Sequence, residues 1–125
     1  MILALLLFAV HAQPAPDDPV ETACYEADYS QLGMNRCAGD AYERADKALN
    51  VEWAKVMAAK SEKEEQKLLR DAQRAWISYR DAHCEAAAYS SKGGSIWPLL
   101  VSGCMAELTR RRTRELVAMR QGEGN

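Results

Sequence analysis

The chain has 125 residues, of which 48% are hydrophobic and 27% charged, a balance that fits one folded domain and excludes a chain disordered throughout. Its formal net charge of −2 excludes a globally basic nucleic-acid binder and gives no electrostatic reason to dock on an acidic membrane surface.

The chain opens with MILALLLFAVHA, an apolar run ending in the small-residue pattern that signal peptidase reads. Cleavage after Ala12 makes 1–12 a signal peptide, shorter than most and without a basic start. The run falls short of the roughly 20 apolar residues that a membrane span requires. The mature chain is therefore expected not to span a membrane and to be periplasmic or secreted. QPAPDDP at 13–19 breaks regular structure, and 13–23 are assigned to a flexible linker, 24–120 to a helical domain and 121–125 to a disordered tail.

From about Ser30 to Lys60 the residues Met34, Ala38, Ala41, Ala45, Leu49, Trp53 and Val56 recur at steps of three and four, the spacing of a helix stripe. Ser61 with Glu64 three residues later forms a capping-box pattern that starts a second helix after a turn near 60–61. Its stripe is Leu69, Ala72, Trp76, Tyr79 and His83, and it is predicted to stop at Gly93-Gly94, where glycine takes a left-handed conformation without steric cost. Ser95 then caps a third helix, with Pro98 tolerated in the first turn because its missing N–H has no helical partner. That helix carries Val101, Met105, Leu108, Arg112, Leu116 and Met119 along one side. The predicted fold is all-α, a three-helix up-down-up bundle stapled by two disulfides.

The four cysteines, Cys24, Cys37, Cys84 and Cys104, are an even number behind an export signal and read as two disulfides. They contain no short C-x-x-C unit and no second histidine nearby, so neither a metal site nor a cofactor is expected. Cys37 and Cys84 are equidistant from the turn near 60–61, and Cys84 and Cys104 from Gly93-Gly94, which gathers the thiols at one end of the bundle. Every pairing is within reach. Cys37–Cys84 with Cys24–Cys104 is favoured over Cys84–Cys104 with Cys24–Cys37.

Arg112 interrupts the third stripe, and a guanidinium facing a core requires a carboxylate or an aromatic face. Reflection across the two turns sets Arg112 level with Trp76, and Trp76 level with the residues beside Asp46. Asp46, Trp76 and Arg112 are thus expected to form a structural network, with Asn50 and Gln73 completing its hydrogen bonds. His83 and Cys84, adjacent on a helix, diverge by about 100° and cannot act as a catalytic pair. No activated nucleophile, acid pair or metal set accompanies them, so no catalytic residue and no enzyme are expected. The basic run RRRTR at 110–114 complements a helix C-terminus rather than a nucleic acid. One stretch differs in kind: Lys92, Gly93, Gly94, Ser95, Ile96 and Trp97 make a polar, glycine-rich tip anchored between cysteines, and a stapled loop binds with little ordering cost.

The blocks DKALN (46–50), AQRAWISYRDAHC (72–84), GGSI (93–96), Cys104 and LTRRRTREL (108–116) together resemble the LprI-type lysozyme inhibitor domain family of exported bacterial proteins, over roughly residues 24–120. On the family pattern fall Cys24, Cys37, Asp46, Leu49, Asn50, Gln73, Trp76, Tyr79, Arg80, Cys84, Gly94, Ser95, Cys104, Thr109, Arg112 and Leu116. Trp53 stands where a tyrosine is usual and Gly33 where a helix-starting acid is common. The resemblance implies an all-helical exported domain that inhibits lysozyme. On this reading the 91–97 loop plugs the lysozyme cleft: Lys92 and Ser95 donate hydrogen bonds to its two carboxylates while Ile96 or Trp97 fills a sugar subsite. The expected partner is lysozyme or another envelope protein. The alternative is a structural or protein-interaction module of the envelope that does not inhibit lysozyme.

Overall fold

The computed structural model describes residues 18–122, so the signal peptide read at 1–12, the start of the linker and the last three residues lie outside the described part. Four α-helices follow in order: α1 (Pro19–Ala27), α2 (Gln31–Ala58), α3 (Lys63–Ala87) and α4 (Trp97–Gln121), with one 3₁₀ turn at Tyr89–Ser91 and no strand among the described residues. The fold is all-helical with two disulfides, but it has four helices where three were expected.

The additional helix, α1, takes up residues assigned to the linker. Asp18 caps it, accepting hydrogen bonds from the Val20 and Glu21 N–H groups at 3.0 and 3.1 Å, and Pro19 sits in the first turn, where no N–H is required. None of its residues is buried. What holds it is cross-linking: the Cys24–Cys37 disulfide, an Asp18–Arg44 ion pair at 2.9 Å and Glu21 against Arg110 at 3.6 Å. α1 therefore lies back along the first half of α2.

α2 begins where the sequence places it. The Ser30 hydroxyl accepts the Gly33 N–H at 3.0 Å, and Cys37, Ala38, Ala41, Ala45, Leu49 and Val56 are buried in turn. Gly33 packs closely on Asp28 at the α1–α2 junction, so a Cβ there would require the Asp28 carboxylate to shift. α3 starts one residue later than the capping box requires: Glu62 holds the cap position without a side-chain hydrogen bond, and Gln66 instead donates to the Lys60 carbonyl at 2.7 Å. Its C-terminus comes at Ala87 rather than at Gly93-Gly94, because the 3₁₀ turn intervenes. Gly93 still takes the left-handed conformation, with φ of 82°. Ile96, not Ser95, caps α4.

α2 and α4 run side by side in the same direction, pinned at one end by the Asn35 amide donating to the Ser95 carbonyl at 2.9 Å and at the other by Arg120 donating to Glu52 at 2.6 Å. Small residues, Ala38, Ala41 and Ala45 on α2 and Ala106 and Thr109 on α4, are all buried and let the two backbones come close. The hydrocarbon core collects at the far end, where Leu49, Val56, Leu69 and Leu116 cluster with Trp53, Met57, Trp76 and Met119 against them; each such aliphatic side chain contributes about 1.5–3 kcal/mol by leaving water. α3 packs antiparallel to α4: Gln73 meets Arg112 and Arg80 meets Thr109.

The disulfides are Cys24–Cys37 and Cys84–Cys104. The favoured pairing, Cys37–Cys84 with Cys24–Cys104, is corrected. α1 folds onto α2 and so brings Cys24 to Cys37, leaving Cys84 to the helix that follows its own loop. Both bridges nonetheless sit at the pole where α2 begins.

Candidate functional site

Two polar arrangements emerge, one inside the bundle and one at its cysteine pole. The inner one is built around Arg80, whose side chain is only 8% exposed. Its guanidinium lies between the rings of Trp76 and Tyr42, at 5.2 and 5.3 Å from their centroids. Its Nε donates to Asp81 at 2.9 Å, and its Nη1 reaches the Thr109 hydroxyl at 3.5 Å and Asp46 at 4.0 Å. Burial pushes the Tyr42 phenol above its ordinary pKa, with Arg80 opposing and Asp46 adding to the shift.

The cation that faces Asp46 is thus Arg80, not Arg112 as expected from the sequence. Arg112 sits one level further along, where its Nε donates to Gln73 at 2.9 Å and its Nη1 to Glu115 at 2.8 Å. Its guanidinium carbon also lies 6.0 Å from the centroid of the Trp76 ring. Asn50 donates to Asp46 at 3.5 Å within α2. Trp76 therefore serves two cations. Arg80, on the family pattern, was nonetheless left out of the expected network because the stripe read from sequence, Leu69, Ala72, Trp76, Tyr79 and His83, is rotated from the observed one: Leu69, Gln73, Arg80 and Cys84 are buried on α3, whereas Ala72, Tyr79 and His83 are exposed. A signal for the true face was present. Cys84 must face a neighbouring helix to bridge, and helical steps back from it reach Arg80, Trp76, Gln73 and Leu69. Every charge in this layer is answered by a ring, a carboxylate or an amide, and nothing in it is poised to react.

At the cysteine pole, residues 88–96 connect α3 to α4. The Cys84–Cys104 bridge closes the base of this loop. Within it, backbone N–H groups of Ser91, Lys92, Gly94 and Trp97 donate to carbonyls of Ala88, Tyr89, Ser91 and Gly94 at 3.0, 3.0, 2.9 and 3.2 Å, and Asn35 grips Ser95 from α2. Lys92, Gly93, Gly94 and Ser95 are exposed. Ile96 is 41% exposed, while Trp97 is half-buried with its Nε1 out of solvent. Beside the loop is a concavity of about 300 Å³ lined by Ala82, Glu85, Ala86, Tyr89, Lys92 and Trp97. A larger groove of about 960 Å³ lies at the opposite end, between the start of α3 and the end of α4. Its cations are already engaged, Lys60 with Glu65, Arg112 with Glu115 and Arg120 with Glu52, which leaves little to orient a polar ligand.

Among the described residues there is no group of three or more His, Cys, Asp or Glu side chains placed to hold a metal, and no helix is long and apolar enough to cross a membrane. No solved structure matches the chain. A protein of Rhizobium meliloti (strain 1021), named "Uncharacterized protein R02472", is 40% identical to it over 98% of this chain and 96% of its own length. The family model described as "Lysozyme inhibitor LprI" matches residues 22–116, a span that takes in both disulfides, the Arg80 layer and the loop between α3 and α4. The chain is a member of the lysozyme inhibitor LprI family.

Proposed function

We propose that this protein is exported, to the periplasm or beyond the cell, and there binds and inhibits lysozyme by inserting the 91–97 loop into the enzyme's cleft. Residues 1–12 are its signal peptide in this reading, and an oxidising compartment is where two disulfides persist. The observation that carries the reading is the state of the loop: Lys92 and Ser95 are exposed on a backbone fixed by its own hydrogen bonds, by Asn35 and by the Cys84–Cys104 bridge. A binding element that is ordered before it meets its partner loses little conformational entropy on docking.

Glycosidases of the lysozyme type work with a pair of carboxyl groups flanking the scissile bond. The Lys92 ammonium and the Ser95 hydroxyl are donors suited to that pair, and charge-assisted hydrogen bonds of this kind contribute about 1.5–3 kcal/mol each. Ile96 supplies the apolar contact for a sugar subsite; Trp97, with its indole N–H turned inward, braces the loop from behind. The action is occlusion, and no bond is made or broken by the inhibitor. The test is the inhibition constant against purified chicken-type, goose-type and invertebrate-type lysozymes. Replacing Lys92 and Ser95 together with alanine is expected to raise the constant for the sensitive class by about tenfold or more. An unchanged constant removes the loop from the mechanism, and absence of inhibition in all three classes removes lysozyme.

A further inference from the structure

Among the described residues, the three most exposed large apolar or aromatic side chains are Leu32, Tyr29 and Tyr89, at 77, 72 and 71%, and all three stand at the cysteine pole. Leu32 borders the 91–97 loop on the α2 side. It lies three residues from Asn35, a spacing that makes two side chains neighbours on a helix surface. The Asn35 amide is oriented by Gln31, whose Nε2 donates to its Oδ1 at 2.8 Å, and is thereby turned to donate to the Ser95 carbonyl. Tyr89 borders the loop on the α3 side, lining one concavity with Lys92 and Trp97. Tyr29 occupies the turn between α1 and α2 that leads into Leu32.

That turn is as firmly set as the loop. The Asp28 N–H donates to the Cys24 carbonyl at 3.2 Å, and the Asp28 carboxylate accepts the Ser30 N–H at 2.9 Å and pairs with Arg36 at 3.4 Å. The Ser30 hydroxyl then caps α2, and the Cys24–Cys37 bridge ties α1 down behind the turn. Because α1 buries no residue, its cross-links add little to the core; their product is the fixed turn at its end. A tyrosine exposed on a fixed backbone offers a large contact area at a low cost in ordering.

We infer that Tyr29, Leu32 and Tyr89 form a second part of the enzyme-binding surface, seated on the rims of the cleft that the 91–97 loop enters. The inference rests on the reading of that loop as a lysozyme plug. Size argues for it: a stable protein–protein interface buries about 800 Å² on each partner and takes about 20–30 residues a side, and a loop of seven residues supplies only a fraction of that. The remainder must come from surface beside the loop, and there the molecule carries its barest apolar side chains, toward α2 and toward α3. Apolar contacts on the rims would exclude water from the Lys92 and Ser95 hydrogen bonds between them. Each disulfide then holds one part of the surface, Cys84–Cys104 the loop and Cys24–Cys37 the turn.

Inhibition constants of Tyr29→Ser, Leu32→Ser and Tyr89→Ser, measured on the lysozyme class that the parent protein inhibits, test the inference. Each substitution is expected to raise the constant by about fivefold or more with the unfolding midpoint unchanged, since these side chains are on the surface of the free protein. Val51→Ser and Leu68→Ser, exposed positions away from the pole, are expected to leave the constant as it is. Removing Cys24–Cys37 as an alanine pair is expected to raise it, by freeing the turn. A parent that inhibits through Lys92 and Ser95 but is indifferent to the Tyr29 and Leu32 substitutions overturns the second surface and leaves the loop in place, and indifference to Tyr89→Ser alone overturns its α3 half. Equal losses in Val51→Ser and Leu68→Ser overturn it too, since the effect would then have no preference for the pole. A parent that inhibits none of the three lysozyme classes overturns the loop reading and this surface with it.

Discussion

Replacing Arg80 is the most direct measure of whether the cluster of Trp, Tyr, Arg and Asp side chains on α2 and α3 holds the fold together. In Arg80→Ala the guanidinium leaves its place between Trp76 and Tyr42, and two cation–π contacts of about 1 kcal/mol each go with it. The Thr109 hydroxyl, fully buried, loses the donor at 3.5 Å, which costs about 1 kcal/mol or more. The space vacated by a side chain only 8% exposed adds a cavity contribution. Together these place Arg80→Ala at about 3–5 kcal/mol, a large part of the 5–15 kcal/mol typical of a domain. Arg80→Met loses the same cation–π contacts and the same donor but leaves no cavity and regains sulfur–aromatic contacts with Trp76 and Tyr42 of about 0.3–1.5 kcal/mol each, so its loss is expected to be about 1–3 kcal/mol, below that of Arg80→Ala. The assay is equilibrium urea unfolding followed by tryptophan fluorescence with the disulfides intact, and Trp76 reports on the layer itself. A loss under about 0.5 kcal/mol for Arg80→Ala, within the range of ordinary surface substitutions, would refute the structural role of Arg80, and an equal loss in Arg80→Ala and Arg80→Met would remove the cavity contribution.

The two disulfides are expected to differ in reach although their loops, 13 and 20 residues in separation, confer similar entropic stabilisation of about 3 kcal/mol. Removing Cys24–Cys37 as an alanine pair should release α1, which buries no residue, and accelerate amide exchange there while the main unfolding midpoint moves little; removing Cys84–Cys104 should lower that midpoint. Tyr25 supplies a pH test. Burial and the neighbouring Glu21 carboxylate, which accepts its hydroxyl hydrogen bond at 2.9 Å, push its pKa up to about 12 from 10.0, against the opposing Arg110 charge. The neutral phenol is what the fold stabilises, so the contribution is whole below pH 10 and drains away as pH rises from 10 towards 12. Unfolding midpoints across that window should fall more steeply for the parent protein than for Tyr25→Phe, and parallel slopes would dismiss the effect.

Much of the architecture was legible because it rests on apolar periodicity. The α2 stripe, its Ser30 cap, the turn near residue 60 and Pro98 in the first turn of α4 all follow from local rules that the tertiary structure leaves in force. α1 was hidden for the opposite reason: nine residues with no buried side chain, behind a proline-rich stretch, are held by a sulfur bridge and two ion pairs that periodicity does not record. α3 misled more instructively. The reading assumed that its apolar and aromatic residues turn inward, yet Gln73 and Arg80 line the buried face while Ala72 and Tyr79 stay outside. A polar side chain can occupy an interior face when a specific partner awaits it, and such partners lie dozens of positions away in the chain. The misplaced Asp46 contact has the same root, since register arithmetic fixed the right level but could not choose between two arginines near one tryptophan.

The alanine-lined contact between α2 and α4 has a mechanical consequence. Asn35 rides on α2 and clasps the segment that precedes α4, so the spacing of these two helices sets the tension on that clasp. A valine at Ala41 or Ala106, both fully enclosed, would act as a shim, prising the pair apart and slackening a grip about two to three turns distant. Substitutions that never touch the exposed tip would in this way loosen it, and faster amide exchange across 91–97 would record them.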